Sequence, residues 1–248
     1  MTWTLTRLRA DDAFPPIDRA LPADAPYPGL LAIGGHVDAD SLCRAYSRGI
    51  FPWYEPGEPP LWWSPDPRMV LRPGNLRVTR SLRKTVRRMI EDPHFSLRMD
   101  ADFRGTMADC AAPRGATRGT WIGPSILRAY GALHARGLAH SVELWRDDRR
   151  VAGLYLVSIG GMVFGESMFT RIPDGSKVAL LALCGFALAN GLNLIDCQQE
   201  TAHLASMGAS PVPRAQFESE LRAALICPAP PSWHYDWNRM QRDCAHWL

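Results

Sequence analysis

From about residue 67 the sequence predicts a layered α/β (α+β) domain. Three consecutive strand-like runs, at 140–145, 151–158 and 161–164, are joined by turn signals at Asp147-Asp148 and Ile159-Gly160. A helical pattern at 174–190, a short apolar run at 192–197 and a second helical pattern at 213–225 follow. Antiparallel strands succeeded by helix, strand and helix form a sheet with helices layered on it. At 248 residues the chain is long enough to bury a sizeable core, as one large domain or two smaller ones.

Residues 1–66 read as a separate small unit rich in proline, glycine and tryptophan. Its one clear helix, 38–48, turns Leu42, Ala45 and Tyr46 inward and stops at Gly49. The run 51–67 carries too many prolines for regular structure and reads as an ordered aromatic loop. Beyond it, 69–71 is strand-like, 81–90 helical, and 102–112 a further helix. The pattern at 125–136 is amphipathic, with Ile126, Leu127, Tyr130 and Leu133 inward and Gly137 as its stop. Asp174 is placed to cap the helix 174–190, which Gly191 closes. The tail, residues 227–248, is rich in tryptophan and proline and is expected either to wrap the surface or to be partly mobile.

Composition excludes several classes. With 46% hydrophobic and 21% charged residues the chain is ordinary globular material, and no apolar run approaches the roughly 20 residues of a membrane helix. Arg7, Arg9, Asp11 and Asp12 follow the first residues, so no signal peptide is read there and a cytoplasmic protein is expected. Six cysteines lie far apart without metal-ligand spacing and are read as reduced thiols, with no metal site. No nucleophile elbow and no Walker loop occur, and no G-x-G-x-x-G opens a helix, which argues against a dinucleotide cofactor.

Net charge is only +3, but cations cluster. In the helix 81–90, Arg80, Lys84, Arg87 and Arg88 share one face, with Arg83 nearby, opposite Leu82, Val86, Met89 and Ile90. That face is either ordinary solvated surface or a match for a phosphate backbone. Trp53, Tyr54, Trp62, Trp63 and Trp121 lie outside helical core spacing. They either close a core or form a platform on which unpaired bases stack, with Arg114 and Arg118 supplying phosphate contacts.

Glu166 follows Gly165 at the end of an apolar run. A carboxylate there must meet a cation, with Arg171 and Lys177 as candidates, or titrate upward as a functional group. Asp196 and Gln198 alternate along the second run, so in an unbroken strand both project to one face and Cys197 to the other, as an inert thiol. His203, between strand and helix, reads as structural rather than as a base.

Together these blocks carry a resemblance. Gly29 to Gly35, Arg48-Gly49-Ile50-Phe51-Pro52-Trp53, Trp62-Trp63-Ser64-Pro65-Asp66-Pro67-Arg68, Thr120-Trp121-Ile122 and His140 to Trp145 are similar to signatures of the leucyl/phenylalanyl-tRNA–protein transferases. Phe164-Gly165-Glu166-Ser167-Met168-Phe169, Ser176-Lys177, Ile195-Asp196-Cys197-Gln198 and His203 to Ala209 extend it over about residues 28–222. The resemblance implies a small N-terminal domain, 1–66, and a larger acetyltransferase-like (GNAT-like) domain, 67–248, with a mixed central sheet flanked by helices. It implies transfer of leucine or phenylalanine, less readily methionine, from aminoacyl-tRNA to proteins with N-terminal arginine or lysine, marking them for N-degron degradation. No cofactor and no membrane partner are implied, and a monomer is expected.

By residue, the resemblance implies that Glu166 holds the aminoacyl ammonium and that Gln198, polarised by Asp196, orients the acceptor amine. Trp53 and Trp121 would enclose the terminal adenosine and aminoacyl group, and Leu154, Val163, Met168 and Ile195 the donor side chain. Arg80, Arg83, Lys84, Arg87 and Arg88 would meet the tRNA. The chain departs from the family pattern at His36, Thr170, Gly175, Leu156 and Val163, and the last two bear on which donor fits. Two other classes compete: a non-catalytic binder of tRNA ends, and an acyl-coenzyme A N-acetyltransferase, which the missing phosphate loop disfavours.

Overall fold

The computed structural model describes residues 4–112 and 120–248. Short strands β1 (Thr6–Leu8), β2 (Leu30–Gly34), β3 (Phe51–Pro52) and β4 (Leu61–Trp63) make a four-stranded sheet of order β1-β2-β4-β3. The proline-rich aromatic segment is therefore not all loop, as expected, but a two-stranded turn-back. Its prolines fall at strand ends and in the connection, where no ladder N–H is needed.

The helix of this unit is α1 (Ala39–Tyr46). Asp38 caps it through the Ser41 N–H (2.7 Å), and Ser41 Oγ accepts the Asp38 N–H in return (2.9 Å). Gly49, just past its end, takes φ +72°, a left-handed turn open to glycine at little cost. Tyr46, on the last turn, is fully buried.

Seven strands form the larger sheet: β5 (Arg68–Leu71), β6 (Phe95–Met99), β7 (Ala139–Arg146), β8 (Arg149–Ile159), β9 (Met162–Thr170), β10 (Ile195–Gln198) and β11 (Ser210–Val212). Their order is β11-β5-β10-β9-β8-β7-β6. All neighbours run antiparallel except β9 and β10, so the sheet is mixed, as expected. On one face lie α3 (Phe103–Ala111), α4 (Pro124–Ala135) and α7 (Arg214–Leu225), whose buried residues join those of α1 in one core. On the other lie α2 (Arg80–Glu91), α5 (Gly175–Ala189) and α8 (Trp237–Asp243). The short α6 (Ala202–Ser206) follows β10.

Several local expectations need correction. Strand β9 does not stop at residue 164 but runs to Thr170, so Glu166 sits within a strand rather than at its end. Asp174 precedes α5 in a left-handed conformation (φ +60°) with no capping hydrogen bond; its carboxylate accepts Lys177 Nζ at 2.8 Å instead. The tail packs firmly: Trp233 stacks on His140 at 3.9 Å, Trp237 Nε1 donates to Phe95 O, and Tyr235, Met240, Cys244 and Trp247 are buried against α5.

Because Asp38 closes the first turn of the helix that carries Tyr46, Asp38→Ala should lower stability by about 1 kcal/mol. Denaturant unfolding reads this directly, and an unchanged midpoint would show that Ser41 and solvent suffice.

Candidate active site

The one parallel pair of the larger sheet positions the site. Strands β9 and β10 are in register for only two pairs, Val163 with Ile195 and Phe164 with Asp196. Past these, β9 continues along β8 while β10 stays with β5, and the two strands part. A cavity of about 520 Å³ opens at their parting, at the carboxyl end of the parallel-paired segment, where such crevices form.

A bulge interrupts each strand at this point. On β9, Gly165 pairs with Leu156 and Ser167 with Tyr155, leaving Glu166 as the extra residue. On β10, Asp196 pairs with Val70 and Gln198 with Met69, leaving Cys197 unpaired. Bulges re-aim side chains that strict alternation would send elsewhere. Accordingly Asp196 and Gln198 do not share a face, as simple alternation predicts. Asp196 is fully buried beneath the cavity, whereas both Cys197 and Gln198 line it.

Glu166 is the one carboxylate among the described residues that line the cavity. Neither Arg171 nor Lys177 reaches it; they pair with Asp109 and Asp174. Its partners are two buried tyrosines that the sequence pattern assigns only to helix cores. Tyr46 Oη donates to Oε1 at 2.5 Å and Tyr130 Oη to Oε2 at 3.1 Å, and the two hydroxyls touch each other. Burial pushes the Glu166 carboxyl up to about 7, against the two tyrosine hydrogen bonds and the Arg68 charge that favour the anion. The same burial, together with the Glu166 charge, raises both tyrosines well above their usual range, so they serve as neutral donors.

Gln198 takes φ +57°, a left-handed conformation that is uncommon outside glycine. Its backbone N–H donates to Asp196 Oδ1 at 3.0 Å. The hydrogen bond to Asp196 thus comes from the main chain and not from the side-chain amide. Its Nε2 is buried without a hydrogen-bond partner among the described residues, the kind of orphan that functional sites retain. Cys197 is pushed far above the ordinary thiol range by burial, which leaves it an inert thiol.

Apolar walls complete the cavity: Leu154 of β8, Met168 of β9, Ile195 of β10, and Leu180 and Leu183 of α5. The two α5 leucines carry no sequence signal beyond a buried helix. Val163 pairs with Ile195 in the sheet, is fully buried and lies outside the lining. Trp53 and Trp121 stand at the mouth, and Trp53 is 44% exposed. Trp62, Trp63 and Tyr54 are buried and belong to the core. Trp63 Nε1 donates to Trp53 O at 2.7 Å, which fixes the exposed indole's backbone. His203, on α6, is exposed at the rim.

On α2, Leu82, Val86 and Met89 are buried, while Arg80, Lys84, Arg87 and Arg88 are exposed and Arg83 is half-buried. None of the five pairs with an Asp or Glu side chain among the described residues, and Arg87 donates to Leu248 O. Arg114 and Arg118 lie outside the described residues. One group of metal-ligating side chains, Asp100, His134 and His140, gathers within 4.8 Å away from the cavity. Its imidazoles already face oxygen acceptors: His140 the Asp100 carboxylate and Gly137 O, His134 the Ala139 carbonyl. No helix among the described residues is long and apolar enough to cross a membrane.

Among the described lining residues the cavity sets one carboxylate, Glu166, beside apolar walls. Comparison of the sequence with known proteins gives the class, a transferase that uses aminoacyl-tRNA. The family model described as leucyl/phenylalanyl-tRNA protein transferase matches residues 70–222, and the model of that enzyme's N-terminal domain matches residues 35–66. The leucyl/phenylalanyl-tRNA–protein transferase of Ralstonia pickettii is 52% identical over 232 residues, covering 93% of this chain and 94% of that one. That of Cupriavidus taiwanensis is 52% identical over 236 residues, covering 95% and 94%. Among solved structures, a GCN5-related N-acetyltransferase from Kribbella flavida overlaps 67% of this chain and 58% of its own, at 14% identity and TM-score 0.30. The structure of L-PGS from Bacillus licheniformis overlaps 83% and 66%, at 10% identity and TM-score 0.35. The chain belongs to the leucyl/phenylalanyl-tRNA–protein transferase family.

The raised Glu166 carboxyl makes a prediction about stability. Its protonated form is favoured by folding, so the contribution is complete below 4.5 and is lost as pH rises towards about 7. Glu166→Gln removes this dependence. The variant's thermal midpoint should therefore gain on the parent's between those pH values, and parallel midpoints would deny the shift.

Proposed function

We propose that this protein moves an aminoacyl group from tRNA to the α-amino group of an acceptor protein, and that the cavity between β9 and β10 holds the donor's aminoacyl end. The single observation that carries this reading is Glu166, the one carboxylate among the described lining residues, set above an apolar pocket. A free aminoacyl ester presents an ammonium and a side chain on one carbon, and this pocket offers a carboxylate and apolar walls side by side. Ammonium binding favours the anion, so donor binding draws the Glu166 carboxyl back down from about 7.

Leucine, phenylalanine and, less readily, methionine suit walls of Leu154, Met168, Leu180, Leu183 and Ile195. Methionine in the wall adapts to branched and aromatic shapes alike. Trp53 and Trp121 at the mouth are placed to stack on the terminal adenosine, a contact worth about 1–3 kcal/mol per base. The exposed cations of α2 supply the phosphate contacts. On this reading the chain works as two units, 1–66 and 67–248, as a cytoplasmic monomer. Its acceptors begin with arginine or lysine, and the product enters the N-degron route.

The chemistry asks little of a base. An α-amine has a pKa of about 7.7–8.0, so a useful fraction is neutral at working pH. The amine nitrogen attacks the ester carbonyl, the C–N bond forms and the ester C–O bond breaks. The proton lost by the amine ends on the departing ribose oxygen. Gln198, which lines the cavity, orients the attacking amine through its side-chain oxygen. Positioning of this kind can supply up to about 7–11 kcal/mol.

Transfer of labelled phenylalanine, leucine or methionine from charged tRNA to a peptide beginning with arginine tests the reading. Label should appear on the free peptide and not on its N-acetylated counterpart. No label, despite measurable tRNA binding, would favour a protein that only binds tRNA ends. Neutralising Arg83, Lys84, Arg87 and Arg88 should weaken tRNA binding. It should also flatten the plot of log K against log salt, by about 0.9 for each duplex phosphate that no longer meets a cation. An unchanged slope would return that face to ordinary solvation.

A further inference from the structure

Arg68 sits at the base of β5 with no solvent exposure, and neither bulk pattern nor motif singles it out for a role. A buried guanidinium is costly unless it is paired and well hydrogen-bonded. Here Nε donates to Asp196 Oδ1 at 2.7 Å and Nη2 to Oδ2 at 2.6 Å, a bidentate pair. Nη1 donates to Gly49 O at 3.0 Å, just beyond the end of α1. The rings of Phe51 and Phe217 flank the guanidinium at 4.9 and 4.6 Å. Two of these partners, Asp196 and Gly49, connect to residues of the site. Asp196 Oδ1 also accepts the Gln198 N–H and so holds the left-handed backbone of that residue. Gly49 ends the turn that carries Tyr46, the closer donor to Glu166.

Resting on the transferase reading, we infer that Arg68 is a positioning residue for aminoacyl transfer: through Asp196 it sets the backbone of Gln198, the residue that orients the attacking amine. Asp196 is accordingly an anchor and not a proton relay, because both its oxygens are engaged by Arg68 and the Gln198 main chain. A hydrophobic replacement of the pair could pack as well, since buried ion pairs add little net stability. What an apolar pair could not do is fix a strained backbone at Gln198.

Arg68→Lys keeps the charge but loses the planar fork. The test measures thermal unfolding, binding of an amide-linked phenylalanyl-adenosine, and single-turnover transfer, in the parent and in the Gln198→Ala background. Arg68→Lys should unfold cooperatively and bind the analogue much as the parent does. Its transfer rate should fall about 100-fold, the scale of a misplaced reacting group. In the Gln198→Ala background the same substitution should cost far less, because the two residues act in series. Equal falls in both backgrounds, or analogue binding falling in step with rate, would make Arg68 mere core structure and overturn the proposal alone. A parent protein that transfers nothing would overturn the transferase reading as well. If Arg68→Lys fails to fold, the double replacement Arg68→Gln with Asp196→Asn, which strands no charge, enters the same cycle with the same expected outcomes.

Discussion

The parting of β9 from β10 is the constraint on which the site depends. Two parallel strands hold together for two residue pairs and then follow different neighbours. Each strand carries a bulge where the separation begins, one at Glu166 and one at Cys197. The sheet remains continuous below, so the cavity has a rigid floor built from strand ends rather than from a loop. A site on such elements holds its groups more tightly than one on connections can. The α5 helix closes the cavity from one face through Leu180 and Leu183, while α1 and α4 deliver Tyr46 and Tyr130 from the other.

Two electrostatic arrangements share this floor and do opposite things. The Arg68–Asp196 pair is closed: three guanidinium N–H groups and both carboxylate oxygens are engaged within the fold, and it behaves as a fixed strut. The Tyr46–Glu166–Tyr130 group is poised. Its carboxyl is pushed up to about 7 by burial and is held by two neutral hydroxyls, with no ion pair among the described residues. Such a group takes up an incoming ammonium readily, because that ligand supplies the missing positive charge. Removing either member of the closed pair would strand a charge, at a cost of about 3–5 kcal/mol for buried pairs in general.

Much of this is legible in the chain. The strands at 140–145 and 151–158, the α1, α2 and α4 helices, and their inward residues lie where periodicity puts them. Glu166, Gln198, Trp53, Trp121, Leu154, Met168 and Ile195, singled out on sequence grounds, all meet at one cavity. What is not legible is long-range. Tyr46 and Tyr130 obey helix periodicity as core residues, and nothing local says that their hydroxyls converge on a carboxylate 120 and 36 residues away. Arg68 lies between prolines and an apolar strand, and its partner is 128 residues distant. The bulges are hidden for a different reason: a period of two assumes unbroken pairing, and a single extra residue inverts every face beyond it. That is why alternation gives Asp196 and Gln198 one face, while they occupy two.

The most direct measurement is a structure of the protein bound to phenylalanine joined through an amide to the terminal adenosine. The ammonium should lie within hydrogen-bonding distance of Glu166, with the side chain among Leu154, Met168 and Ile195 and the adenine against Trp53 or Trp121. An adduct seated elsewhere, or one whose ammonium turns away from Glu166, would contradict the assignment of this cavity to the aminoacyl end.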